Sequence, residues 1–160
     1  MSQQTLSKSA QIVQNALAQK GLSLNVVELS ATTRTAQDAA TAVGCSVSQI
    51  VKSLVFRIDA TQEPLLLLVS GSNRVNEQVI EQHLGHKISR PDADYVREVT
   101  GFAIGGIPPV GHTQPIKTLI DKDLLHHDTV WAAAGTPNAI FKLKASDLQN
   151  LTNGTVVSVY

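Results

Sequence analysis

The sequence predicts a single-domain α/β fold in which a mixed sheet, curled toward a barrel, is surrounded by helices. Three observations lead there. Segments with helical period alternate with short strand-like segments along the whole chain. Hydrophobic residues make up 42% of the 160, enough for one core, so the domain is expected to span 1–160. No repeat, linker or low-complexity tract divides the chain. Because aromatics are only 4%, the core must come mainly from Val, Leu, Ile and Ala.

The elements follow in order. Ala10, Val13 and Leu17 recur at helical spacing before Gly21, which predicts an amphipathic helix with a glycine stop. A short strand is expected around Asn25 to Leu29. The Ala-rich run from Thr35 to Val43, with Asp38 three residues after Thr35, predicts a capped second helix ending at Gly44. Ser46 to Gln49 fits one further turn. Ser53 to Ile58 and Leu65 to Val69 read as paired strands joined by a polar link. Asn76 to Leu84 and Asp92 to Thr100 predict helices, the first placing Val79, Ile80 and Leu84 on one face and the second stopping at Gly101. Strands are expected at Ile116 to Ile120, Val130 to Ala134, Ile140 to Leu143 and Val156 to Val159, with a short helix from Ser146 to Leu151.

Composition narrows the function. Thirteen basic residues balance thirteen acidic ones, so any contact with a polyanion should be local. The one cysteine, Cys45, has no partner for an internal disulfide, which fits a reducing compartment. The first residues lack the pattern of a signal peptide, and no apolar run approaches a membrane span, so a cytoplasmic protein with no membrane contact is expected. His83, His86, His112, His126 and His127 do not have the spacing of a metal site, and neither a metal nor a cofactor is expected.

Three constellations remain. Strand alternation puts Lys52 on one face with Leu54, Phe56 and Ile58. A lysine there either snorkels to solvent or meets an anionic partner. Gly101 to Gly111 holds four glycines and two prolines in eleven residues; it is either a tight turn or a loop presenting backbone N–H groups to a carbonyl or phosphate. Ala132 to Asn138 is a small-residue strand breaking into a Gly-Thr-Pro-Asn turn, with Gly135 and Thr136 placed to line a ligand or simply to turn. Cys45, just after Gly44, is either a nucleophile or a packed thiol.

In combination, Gln49-Ile-Val-Lys-Ser-Leu-Val-Phe56, Gly105-Gly-Ile-Pro-Pro109 with Gly111, Asp121 with Leu124, and Ala134-Gly135 resemble the YbaK/EbsC family, from about Thr35 to Val159. These are free-standing relatives of the editing domain of prolyl-tRNA synthetase. The resemblance implies a barrel-like mixed fold and deacylation of mischarged aminoacyl-tRNA carrying a small amino acid such as Ala, Cys, Ser or Thr. It implies that Lys52 engages the terminal adenosine of the acceptor end. Gly105, Gly106 and Pro109 would position the ester, while Phe56, Gly111, Ala133, Gly135 and Thr136 would contact substrate. Water would attack with help from the substrate's own ribose hydroxyl, the protein supplying orientation and backbone donors. Some members have serine near the position of Ala133 or histidine near Gly135, so the amino acid stays open. An aminoacyl-tRNA synthetase is the further partner implied. A noncatalytic acceptor-end or nucleotide-binding module, and an esterase using Cys45, are the rival readings.

Overall fold

The computed structural model describes residues 5–160. Among the described residues five α-helices form: α1 (Lys8–Gln19), α2 (Ala36–Val43), α3 (Glu77–Leu84), α4 (Ala93–Thr100) and α5 (Asp147–Thr152). Side chains of Ser7, Thr35, Asn76 and Asp92 accept hydrogen bonds from the first-turn amides of the first four, which would otherwise lack partners. Gly44, Gly85 and Gly101 close α2, α3 and α4 in left-handed conformation.

Among the described residues eight strands join into one sheet: β1 (Val27–Glu28), β2 (Ile50–Ile58), β3 (Pro64–Ser70), β4 (Ile88–Ser89), β5 (Lys117–Asp121), β6 (Thr129–Ala133), β7 (Ala139–Lys144) and β8 (Thr155–Val157). Their order is β1-β7-β6-β2-β3-β5-β8, and β4 lies off this path, antiparallel to the end of β2. The β2–β3, β6–β7 and β1–β7 pairs are antiparallel, whereas β2–β6, β3–β5 and β5–β8 are parallel. The sheet is therefore mixed, as expected, and it stays open, with β1 and β8 as its two ends.

Several bounds differ from expectation for local reasons. The first strand pairs only at Val27 and Glu28. β2 starts at Ile50, three residues early, because Ile50 and Val51 pair with Trp131 and Ala132 of β6. β4 is too short to leave a periodic signal, and Lys122–His126 forms a 3-10 turn capped by Asp121 that apolar spacing did not mark.

β3 lies between β2 and β5 with helices on both faces, so all seven of its residues are buried. Leu66 and Leu68 face one core, shared with Ala10, Val13 and Leu17 of α1, Leu148 and Leu151 of α5, and Phe141. Leu65, Leu67 and Val69 face a second core with Phe56, Ile80 of α3 and Val159. A small third cluster joins Ala39 and Ala40 of α2 to Ile50. Among the described residues no helix is long and apolar enough to cross a membrane.

The cost of disturbing this packing is set by burial. Leu67 is fully buried, so Leu67→Ala should destabilise the domain by about 2–5 kcal/mol, while Ala at the exposed Ile12 should change stability by less than about 0.5 kcal/mol. Urea unfolding of the two variants checks both values.

Candidate functional site

The site begins where two strands separate. β2 and β6 pair only through Ile50↔Trp131 and Val51↔Ala132, and β2 regains a partner on that side only at Arg57 and Ile58, which meet β4. Beside the gap lies a cavity of about 390 Å³, within the range of small-ligand sites. Its walls are the start of β2, the end of β6, the first turn of α2 and two loops, 33–35 and 104–107. Most lining side chains are apolar, several of them alanine. Its charged lining residues are Lys52 and Arg34; no Asp, Glu, His or Cys lines it among the described residues.

The loops are tied to one another. Gly135 N donates to Gly106 O at 2.8 Å, Thr33 N donates to Pro137 O at 2.6 Å, and Asn138 Nδ2 donates to Leu29 O at 2.7 Å. Gly106 packs directly against the backbone of Thr136, where an added Cβ would stand 2.7 Å from the carbonyl carbon. The contact between the two loops by itself requires glycine there.

Lys52 is half-buried, and its Nζ donates to the Asn73 carbonyl at 2.6 Å. Burial pushes its pKa below the ordinary lysine value, the Arg74 charge adds to this, and Asp121 opposes it. Beneath it lies a polar cluster. Asp121, with no exposed surface, accepts from Ser70 N at 3.0 Å, Asn73 Nδ2 at 2.8 Å and, through its other oxygen, Asp123 N at 2.9 Å. Hydrogen bonds from Asn73 and Tyr160 hold the Asp123 carboxyl below the usual range.

Such a cavity suits a ligand with an apolar body and a negative or strongly polar end. A profile of the aminoacyl-tRNA editing domain matches residues 30–151. The chain belongs to the aminoacyl-tRNA editing domain family. It is 30% identical over 128 residues to the uncharacterized protein YwhH of Bacillus subtilis (strain 168), covering 80% of this chain and 81% of that protein. A proline--tRNA ligase of Streptococcus equi subsp. equi (strain 4047) is 26% identical over 133 residues, which are 76% of this chain but 21% of the ligase. A crystal structure described as a candidate trans-editing enzyme for prolyl tRNA synthetase superposes with a TM-score of 0.92 at 47% identity, covering 97% of this chain and 98% of that one.

In this editing domain, three of the residues singled out from sequence, Lys52, Gly105 and Ala133, line one cavity. Gly106, Gly135 and Thr136 stand behind its wall as the contact between two loops, and the Thr136 hydroxyl is engaged with Asn138 Oδ1 at 3.0 Å. Pro109 and Gly111 line a separate surface cleft of about 730 Å³ against the end of α1. Phe56 shares the Lys52 face, as alternation predicted, but is 2% exposed in the second core with the Arg90 guanidinium over its ring, and it does not line the Lys52 cavity. Cys45 packs against the Ala39, Ala40 and Ile50 cluster and does not line the cavity, and burial raises its thiol pKa, opposite to what a nucleophile needs. Sequence reasoning missed Arg34, Ser53 and Asn73. The Ser70-Gly-Ser-Asn73 stretch after a leucine run signals a turn, and nothing in it signals that its carbonyl meets a lysine.

The loop contact makes a stability prediction. Gly106→Val should cost about 1–3 kcal/mol, because the Thr136 backbone has to shift, and the loss should appear in the melting temperature with or without substrate. A second concerns His112, whose Nε2 lies 2.7 Å from the Pro108 carbonyl. Burial pushes its pKa below the ordinary 6.5, with the Pro108 hydrogen bond opposing. Between the two pKa values the unfolded chain binds more protons than the folded one, so stability rises with pH there and falls on acidification below about 6.5. Urea midpoints between pH 7 and pH 5 should decline in the parent and decline less in His112→Gln.

Proposed function

We propose that this editing domain is a deacylase that hydrolyses the ester between a small amino acid and the terminal ribose of transfer RNA. The observation that carries this reading is the lining of the cavity: apolar walls, two cations and, among the described residues, no acid, imidazole or thiol. The cations Lys52 and Arg34 suit the phosphate and polar edge of a terminal nucleotide. The small side chains of Ala36, Ala39 and Ala133 leave room beside them for an aminoacyl group. Among the described residues no carboxylate or imidazole lines the cavity, and in this reading the ribose hydroxyl next to the ester orients the attacking water. The protein contributes placement and backbone donors from the Gly105 loop. Alanine, cysteine, serine and threonine esters are the proposed substrates, and a synthetase is the proposed partner for wider tRNA discrimination.

The test is release of free amino acid from tRNAs charged with each of these four residues, at catalytic protein concentration. Turnover supports the deacylase, and saturable binding without turnover supports an acceptor-end module instead. Lys52→Ala should lower kcat/KM at least about a hundredfold with an unchanged circular dichroism spectrum, because a half-buried charge that serves a ligand contributes little to packing. Cys45→Ser should retain turnover. With zero net charge and only local cations, tRNA binding should have a shallow salt dependence, each neutralised phosphate adding about 0.7–0.9 to the slope and the total staying below about 3.

A further inference from the structure

We propose that Asn73 and Asp121 form a positioning assembly for Lys52, in which a clamped turn presents the Asn73 carbonyl to the lysine ammonium and so fixes where its remaining donors point. The inference rests on the deacylase reading for the use of Lys52, and on geometry alone for the assembly.

The turn that follows β3 is held from every side. Ser70 N donates to Asp121 Oδ2 at 3.0 Å, Ser70 Oγ donates to the Ser48 carbonyl at 2.8 Å, and Gly71 N donates to the Ile50 carbonyl at 2.8 Å. A Cβ on Gly71 would lie 2.3 Å from the Val47 carbonyl oxygen, so only glycine lets the turn sit this close to the residues that lead into β2. Asn73 N donates back to Ser70 O at 2.9 Å. The Asn73 side chain spends both amide hydrogens on carboxyl oxygens, Asp121 Oδ2 at 2.8 Å and Asp123 Oδ2 at 2.9 Å. With its side chain fixed at one end and its amide at the other, residue 73 has little freedom to turn its carbonyl away.

That carbonyl accepts from Lys52 Nζ at 2.6 Å. An ammonium has three donors. One is used here, and among the described residues the other two have no partner, which leaves them for a ligand in the cavity that Lys52 lines. A long lysine side chain otherwise samples many rotamers, and a fixed acceptor removes that freedom before substrate arrives. Neutral Asn73 suits this role better than a carboxylate, because the carbonyl holds the ammonium without neutralising it. The buried carboxyl of Asp121 acts at one remove, through the turn and through its field at Lys52.

The experiment compares Asn73→Ala, Lys52→Ala and the parent protein in two measurements. The first is kcat and KM on tRNAs charged with alanine, cysteine, serine and threonine. The second is the 1H–15N signal of the Lys52 ammonium in the free protein, which needs no substrate. Asn73→Ala should lower kcat/KM about tenfold in a protein that still folds, and should broaden or shift the Lys52 signal. Asn73→Ser, which keeps one donor toward Asp121, should restore part of both. If Asn73→Ala fails to fold, Asn73→Ser carries the same two readouts. An unchanged Lys52 signal, or parental kcat/KM in Asn73→Ala where Lys52→Ala is inactive, overturns the positioning role. Parental turnover in Lys52→Ala overturns the use of Lys52 itself, and the deacylase reading fails separately if no charged tRNA is cleaved by the parent.

Discussion

Two residues of parallel pairing, Ile50 with Trp131 and Val51 with Ala132, govern most of what is distinctive about this molecule. A strand normally satisfies its backbone along both edges, and β2 does so on the β3 side over seven residues. On the other side it is joined only at its two ends. The fold keeps that open stretch from becoming a sticky edge by bringing α2 and two loops alongside it. The cavity is the space left between an edge that is covered and an edge that is paired.

Placing lysine beside that space is costly unless its charge has somewhere to go. The structure gives it a carbonyl and keeps the nearest carboxyl groups one residue further away, on the far side of Asn73. A direct ion pair with Asp121 would be satisfied internally and would have little left for a ligand. The indirect arrangement satisfies one donor of the ammonium without neutralising its charge, and burial of Lys52 is only partial.

The elements were legible because their signals are local. Ser7, Thr35, Asn76 and Asp92 cap helices by reaching amides two or three residues away, and the Pro64–Ser70 run is apolar because both of its faces are covered. Lys52, Gly105 and Ala133 were recognisable through their resemblance to a family, and the structure puts them around one space. Distances across the chain were illegible. Alternation correctly placed Phe56 on the face of Lys52 and said nothing about where along that face the core ends. The Gly105 to Gly111 run reads as one loop, yet its two ends line different openings. The pairing of Asn73 with carboxyl groups 48 and 50 residues away leaves no periodic or compositional trace.

The lysine and its clamp belong to β2 and the turn after β3, whereas Ala133 and the loops behind it belong to β6 and its connection to β7. The two walls share a short ladder and little else. Substitutions on the β6 side can therefore reshape one wall of the cavity without rebuilding the clamped lysine opposite. The architecture mounts a rigid wall and an adjustable one on strands that hardly meet.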